Sequence, residues 1–575
     1  MLPLAAWPWG ADPEMPLRLV VIGIMLIATV LARTGGVLPR PVRLALAGCV
    51  LAFVVAALAG RTPLLSLLGR YQRYEGLPLV LGYAAALWAG ARLLGPSRPR
   101  IRGHLATALV ASTHVILLWA LVELLRDPDR RLVTPLGNAT LVGLWGVLAA
   151  AVLGWAGLAV RSRLLLSGAV SGLLLVALSA SRGAWLGLLA VLALSAVLGR
   201  RAVRIRWWWP VVPVLMVVTV GAVTPMVRDR LLGTSPLARA TVSGRLLMWS
   251  ETLQLVGDHP LTGVGPSRFV DEIGRYHSAA WQAAAGPVAP PDSPHLVLFQ
   301  VAAATGAVGV VAVAALAVAV LGSLRRVLAD HDAWSGAAAT AGVGLGVGYL
   351  TTFTDPVLVV VGLFVLGGAL SRPAPAPAPR SRWPTRALAG SIAGLTIASA
   401  GSLLVSEAAL ADAVRSDDDT RAVRSARLAS RVRLSDPDVA VRAGHVLVAK
   451  GRPEGLLAAW SLLEPACPRL PGSVVCRQTL ADAYDLAGEP GAALQTLTGA
   501  LPLDPFNVET LLRTGVALSE LGRPAEAEQT FRQAAGLRPS AAEPWDNLAH
   551  LMRQQGREAE AGAAEARARA LRRRR

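Results

Sequence analysis

Charged residues are scarce in this sequence, and lysine is almost absent. Asp, Glu, Lys and Arg make up 16% of the 575 residues, and 54% of the chain is hydrophobic, whereas about a quarter of a soluble chain is usually charged. Lys450 is the only lysine, so arginine carries nearly all of the basic charge behind a net charge of +19. Because many arginines lie in short stretches between apolar segments, this charge indicates membrane topology and argues against nucleic-acid binding.

Cysteine is also rare, and metal-binding patterns are missing. Cys49 lies in an apolar segment, whereas Cys467 and Cys476 lie nine residues apart in the polar C-terminal part. The latter two either form a disulfide, which only an oxidising compartment keeps, or are two small buried side chains. No cysteine or histidine spacing resembles a zinc site, and the acidic run 417–419 is typical of solvated residues before a helix. The sequence therefore predicts no metal and no cofactor.

About twelve apolar stretches are long enough to cross roughly 30 Å of hydrocarbon. They lie near 17–32, 42–60, 77–94, 104–125, 137–160, 163–180, 183–199, 207–224, 295–321, 336–353, 356–371 and 386–405. One set of alternate short loops holds far more arginine than the other set, which places the arginine-rich set in the cytoplasm. We therefore expect a multi-pass inner-membrane protein whose long loop 225–294 is extracytoplasmic.

A regular repeat begins after the last apolar stretch. Prolines recur every 34 residues, and glycines recur at the same interval: Pro437, Pro471, Pro505 and Pro539; Gly488, Gly522 and Gly556. This period, with a small-residue turn between amphipathic segments, is typical of tetratricopeptide repeats. The sequence thus predicts an all-α protein, with a transmembrane bundle over 1–405 and an extracytoplasmic α-solenoid over 406–575. The solenoid groove binds a protein or glycan partner, or the repeats serve only as a spacer or cap.

Four polar blocks interrupt the apolar sequence at the predicted outer face. Three are short, and a long fourth block contains three motifs: GRYQRYEG (69–76), PLGNATLVG (135–143) and SASRGAWLG (179–187); then GRLLMW (244–249), DHPLTGVGPSRF (258–269) and H-x-x-x-x-Q-x-x-x-x-T-G-x-x-G (295–309). In this order and approximate spacing they resemble the O-antigen ligase and polymerase family over about residues 60–370.

The resemblance implies a glycosyltransferase that needs no metal. Members of that family move a glycan from a polyprenyl diphosphate to a glycan, lipid or protein acceptor at the outer face of the membrane, during surface polysaccharide biosynthesis. Their functional residues fall on Arg182, Arg245 and His295. The chemistry fits, because a guanidinium group binds phosphate oxygens bidentately and a histidine is suited to accept the proton of an acceptor hydroxyl.

Further polar residues at the same face are candidates for substrate binding. Arg70, Arg73 and Glu75 either contact the donor or form an ion pair within their loop. Asn138, which opens a helix in the second block, belongs to the same set. An isolated arginine at a membrane boundary, such as Arg182, is often a topology anchor, so its functional role depends on the family motif.

Three other classes of protein compete with this reading. A peptidoglycan polymerase of the shape, elongation, division and sporulation type is disfavoured, since the GVGPSRF motif lacks a longer glycine-rich run. A transporter, such as an inorganic-carbon uptake component, should have broken helices around a midplane site, whereas the polar residues here collect at the outer face. A non-catalytic scaffold for envelope assembly would use the repeats alone. Ligase and polymerase activities remain equally open.

Overall fold

The computed structural model describes residues 36–71, 73–95, 99–127, 132, 136–202, 211–232, 236–285, 291–328, 332–352, 354–373 and 383–573. Within these ranges every regular element is a helix, and the one β-type pairing is an isolated bridge between Val37 and Arg372. The described part of the chain is therefore all-α, as the sequence predicts.

Sixteen of the described helices precede the repeats, counting the two short ones in the large loop. They are: α1 (Arg40–Ala59), α2 (Pro63–Leu68), α3 (Leu77–Leu93), α4 (Pro99–Arg126), α5 (Ala139–Val160), α6 (Arg163–Leu178), α7 (Arg182–Ala202), α8 (Val211–Val223), α9 (Pro225–Leu231), α10 (Pro236–Asp258), α11 (Phe269–Glu272), α12 (Ala279–Ala285), α13 (Val297–Leu328), α14 (Ala333–Tyr349), α15 (Pro356–Leu370) and α16 (Trp383–Arg415). A 3₁₀ turn, Ile273–Tyr276, follows α11.

Six described helices are long and apolar enough to cross a membrane: α1, α4, α5, the 182–199 part of α7, the 297–326 part of α13, and the 396–415 part of α16. Helices α3, α6, α8 and α15 are apolar but shorter. Every predicted apolar stretch from 42–60 onward overlaps a helix, whereas 17–32 lies outside the described residues. The count of twelve spans stays a prediction.

Helix α5 forms the centre of the membrane domain. It is apolar on all sides and buried along most of its length, which is typical of a helix surrounded by other helices. Its Gly146 packs against the backbone of α6, because a Cβ there would collide with the carbonyl oxygen of Gly172. Close contact through small residues is a usual way for membrane helices to associate.

The repeat domain consists of helix α17 (Asp419–Val432) followed by four helix pairs. The pairs are: α18 (Pro437–Lys450) with α19 (Pro453–Ala466), α20 (Val474–Leu486) with α21 (Pro490–Ala500), α22 (Val508–Glu520) with α23 (Pro524–Leu537), and α24 (Glu543–Gln554) with α25 (Glu558–Arg573). Each pair turns at a glycine with positive φ: Gly451, Gly488, Gly522 and Gly556. This regular alternation confirms the predicted tetratricopeptide architecture.

The domain boundary at 405/406 falls inside the continuous helix α16. Beyond residue 405 this helix packs on the repeats: Arg442 Nη1 lies 2.5 Å from Glu407 Oε1. Cys467 and Cys476 form a disulfide with a Cα–Cα distance of 5.7 Å, as one of the two sequence readings predicts. The bounds of the two domains stay a prediction. So does the interpretation of the Pro/Ala run 373–379 as a stiff cytoplasmic connector, since its residues 374–379 lie outside the described residues.

The repeat domain packs directly on the large loop. His277 Nδ1 lies 3.2 Å from Asp504 Oδ2, and the backbone of Gly274 approaches Leu503. Gly472 has room only for a hydrogen, because a Cβ there would lie 2.6 Å from the side chain of Asp271. The repeats therefore pack on the described part of loop 225–294, and the side of the membrane on which both lie stays a prediction.

Candidate functional site

His295 lies in the segment that leads from the large loop into α13. Its φ is +51°, a left-handed conformation that costs free energy in a residue with a Cβ and often marks a functional site. The preceding carbonyl of Pro294 accepts a hydrogen bond from Trp249 Nε1 at 2.8 Å. Trp249 also stacks edge-on against Phe299 of α13. Helix α10 thus holds the backbone on both sides of His295.

The glycines of the DHPLTGVGPSRF motif fasten the loop to α13. Val264 N–H donates to the carbonyl of Ala303 at 2.8 Å, and Ala307 N–H donates to the carbonyl of Pro260 at 2.8 Å. Gly306 interrupts α13 with a φ of +59°, and a Cβ on it would collide with the carbonyl of Leu261. This motif therefore positions α13, which begins two residues after His295.

Arg245 and Arg182 both lie beside the turn that ends α14. Arg245, on α10, donates from Nη1 to the carbonyl of Thr351 at 2.9 Å. Arg182 is the first residue of α7, and the next residue, Gly183, packs on the same threonine, because a Cβ there would collide with Thr351 Oγ1. Arg182 is exposed at this helix end. Thr351 therefore contacts Arg245 directly and packs against Gly183, the residue that follows Arg182.

Arg73 and Glu75 form an ion pair within the GRYQRYEG loop, with Nε 2.8 Å from Oε1. Arg73 also reaches Asp292, at 3.6 Å, and donates to the carbonyl of Thr354 at 2.9 Å. Glu75 accepts a hydrogen bond from Gln300 on α13. The ion pair within the loop, one of the two possibilities that the sequence leaves open, is therefore present. Through Asp292 and Gln300 it also connects this loop to the segment around His295.

The charges around His295 disfavour its protonated form. Burial is the largest cause that lowers the pKa of this imidazole, and Arg245 and Arg73 lower it further, while Asp292 raises it; the result is a pKa of about 4. His295 is therefore neutral at pH 7 with a ring nitrogen able to accept a proton. The site combines a neutral base with at least two guanidinium groups, an arrangement suited to an anionic substrate.

Arg70 and Asn138 have clear structural roles outside this cluster of charges. Arg70 is 3% exposed and lies between two carboxylates, 2.5 Å from Asp271 and 2.5 Å from Asp438 of the first repeat. Asn138 caps α5 by accepting from Thr140 N–H at 2.8 Å. These contacts account for both residues, and substrate binding by either one stays a prediction.

Three residues of the cluster were not among the predicted site residues. Gln300 stands in the quoted H-x-x-x-x-Q pattern and Asp292 lies three residues before that pattern, so their proximity to His295 in the sequence was a usable signal. Thr351 contributes its backbone carbonyl and a small side chain, and no sequence pattern marks such a role. Asp292, Gln300 and Thr351 each connect a different helix or loop to the predicted catalytic residues.

Comparison with known families identifies a segment that includes this site. Residues 164–314 match the family described as O-Antigen ligase. The segment contains Arg182, Arg245 and His295 together with the glycine motif, so the family resemblance is confirmed over this part of the chain. It supports a role in membrane glycan ligation in general.

The repeat domain is similar to solved structures. One is described as MamA MSR-1 C2, with 25% identity over 30% of this chain and 98% of that chain and a TM-score of 0.25. Another is TTC0263, a thermophilic TPR protein in Thermus thermophilus, with 23% identity over 27% and 87% of the two chains and a TM-score of 0.24. No curated protein gives a significant match. The repeat architecture is shown by the four helix pairs themselves.

Proposed function

We propose that this protein transfers a glycan from a polyprenyl-diphosphate donor to a glycan, lipid or protein acceptor at the outer face of the inner membrane. The single observation that supports this best is the convergence of His295, Arg245 and Arg73 within the segment that matches O-antigen ligases and the loop that packs on it. On this proposal the large loop and the repeat domain are both extracytoplasmic.

The arginines would stabilise the diphosphate leaving group. Cleavage of the glycosyl–diphosphate bond leaves negative charge on the departing phosphate, and preorganised cations are most effective in a site shielded from water. Arg245 is half-buried and held by Thr351, while Arg182 lies exposed at the adjoining helix end. Arg245 would contact the bound diphosphate from its present position, and Arg182 would approach the same diphosphate from the membrane side.

His295 would take the proton of the acceptor hydroxyl as that oxygen attacks the anomeric carbon. A base with a pKa of about 4 is unprotonated at pH 7 but takes a proton only weakly. A bound diphosphate would offset the positive charge of Arg245 and Arg73, which now lowers this pKa. The donor would therefore raise the basicity of His295 when the acceptor is to be activated.

The concave side of the repeats is the proposed place for a protein or glycan partner. A cleft there is lined by side chains of both charges, including Asp482, Glu509 and Arg513. Arg513 is tied to both carboxylates, with Nε 2.7 Å from Asp482 and Nη1 2.6 Å from Glu509. Such paired charges suit polar recognition better than an apolar ligand.

The function is tested by deleting the gene and complementing the strain with His295→Ala, Arg182→Ala or His550→Ala. His550 is an exposed histidine of the last repeat and serves as the matched control. We expect the first two variants to be present in the membrane and to fail to restore surface polysaccharide, while His550→Ala restores it. Single units without long chains would indicate a polymerase, and accumulated lipid-linked chains a ligase. Full restoration by His295→Ala and Arg182→Ala would favour the scaffold instead.

A further inference from the structure

Helix α17 exposes a face of arginines and leucine that no other part of the described chain covers. Arg424, Arg427, Leu428 and Arg431 follow one another at helical spacing on this face, and all four are exposed. Leu428 is 48% exposed, and Leu434, two residues after the helix ends, is 70% exposed. Outside a membrane span, exposed leucines beside arginines are typical of a surface that meets lipid headgroups and acyl chains together.

The position of this face relative to α16 fixes its depth. Helix α17 runs back along α16, because Arg421 pairs with Asp412 near the turn and Ser406 Oγ donates to the carbonyl of Ala429 at 3.3 Å further down. Below that, Arg433 Nη1 lies 3.4 Å from Ser402 Oγ. Ser402 belongs to the last predicted span, 386–405. If the span ends at residue 405 as the sequence predicts, the end of α17 lies level with the end of that span, where the acyl chains meet the headgroups.

The arginines of this face have no carboxylate partner among the described residues. No ion pair joins Arg424, Arg427 or Arg431 to a described carboxylate, whereas exposed arginines elsewhere in the repeat domain are paired, such as Arg452 with Asp419 and Arg523 with Glu526. The next turn adds another cation to the same edge, since exposed Arg469 donates from Nη2 to the carbonyl of Leu434 at 2.8 Å.

We infer that this face, made of Arg424, Arg427, Leu428, Arg431 and Leu434, binds the anionic phospholipid surface of the membrane. Leu434 and Leu428 enter the boundary between headgroups and acyl chains, and the arginines contact the phosphates. Basic residues near an anionic surface are attracted to it over about a Debye length. Depth and charge together favour anionic lipid over a protein partner for the exposed side of α17.

This contact fixes the angle of the repeat domain on the membrane independently of any catalytic step. Helix α16 alone connects the membrane bundle to the repeats along the chain, and α17 is the first element after it. Lipid contact at α17 adds a second support to the repeat domain, beside its contact with the large loop at Leu503 and Asp504.

The inference is tested by lipid quenching in the full-length protein. Cys49 is replaced by Ala, the disulfide is kept oxidised, and a bimane fluorophore is attached at Leu434→Cys in nanodiscs that contain brominated phosphatidylglycerol or brominated phosphatidylcholine. Leu486→Cys is the matched control, because Leu486 is 52% exposed but ends α20 at the opposite edge of the repeats. We expect bimane at 434 to be quenched by both lipids, and more strongly by the anionic one.

The arginines are tested in the same assay by Arg424→Gln, Arg427→Gln and Arg431→Gln combined. We expect this variant to lose the preference for brominated phosphatidylglycerol, whereas Arg532→Gln with Arg569→Gln, on the last repeats, keeps it. Quenching at 434 no greater than at 486 would overturn lipid contact. Equal quenching by the two lipids would overturn the anionic selectivity, and so would a preference that survives the triple substitution. Unchanged bimane emission at position 486 checks that each variant is folded.

Discussion

Arg70→Met removes the cation that holds the repeat domain to the large loop. Arg70 lies 2.5 Å from Asp271 and 2.5 Å from Asp438, and all three side chains are buried. Burial alone would lower the pKa of Arg70, but the two carboxylates outweigh it and raise this pKa, so the guanidinium stays charged. Removing one partner of a buried ion pair leaves uncompensated charge and costs about 3–5 kcal/mol. We expect that loss in the free energy of local opening at this interface.

Hydrogen exchange measures the opening directly. A loss of about 3–5 kcal/mol corresponds to exchange roughly 150- to 5,000-fold faster in the 3₁₀ turn after α11 and at the start of α18. The triple variant Arg70→Met, Asp271→Asn, Asp438→Asn should recover most of the protection, because the two carboxylates that Arg70 neutralised are then uncharged amides. The control is Arg523→Met, which breaks a pair with Glu526 that is about half exposed and should cost about 1 kcal/mol or less.

Two results would refute this reasoning. If Arg70→Met exchanges like the parent protein in both segments, the ion pairs do not hold the interface. If the triple variant is no more protected than Arg70→Met alone, the loss comes from packing of the arginine side chain and not from unpaired carboxylates.

Three further predictions concern pH and topology. Arg245→Gln should raise the pKa of His295 from about 4, because it removes a cation that disfavours the imidazolium, and the acid limb of kcat/KM should move to higher pH; an unmoved limb would contradict this. Burial and Asp438 raise the pKa of Asp436 to about 7, above the pKa of this group in the unfolded chain. Protonation of Asp436 therefore stabilises the folded state at low pH, and this stability is lost as the pH rises to 7. Asp436→Asn should therefore remove the fall in melting temperature between about pH 4 and 7, and a fall that persists would assign it to another group. A membrane-impermeant maleimide should label Cys467 and Cys476 in intact cells only after reduction, whereas labelling that requires permeabilised cells would place the repeats in the cytoplasm.

The helices and the repeats could be predicted because both depend on local patterns. Apolar length predicted the positions of the described membrane helices, and the 34-residue period predicted the helix pairs. The first repeat departs from that period because Pro437 is the first residue of α18, whereas Pro471 precedes α20 by three residues. Its turn glycine, Gly451, therefore comes earlier after the proline.

The site could be predicted only in part, because its contacts join distant segments. The family motifs identified His295, Arg245 and Arg182, but no local pattern shows that Arg70 pairs with Asp438, 368 residues away. Charge alone could not separate Arg70 from Arg73, three residues further along in the same loop. Folding directs one to the repeat interface and the other to Asp292 beside His295.

The central claim is that His295 acts on a lipid-linked glycan, and single-turnover transfer by purified protein in vesicles tests it most directly. Lipid-linked oligosaccharides extracted from the deletion strain serve as donor, and the measured quantity is the rate of transfer to acceptor by the parent protein, His295→Ala and His550→Ala. The account predicts that the parent protein and His550→Ala transfer at similar rates, while His295→Ala binds the donor and transfers none above background. Transfer by His295→Ala at the parent rate would contradict it.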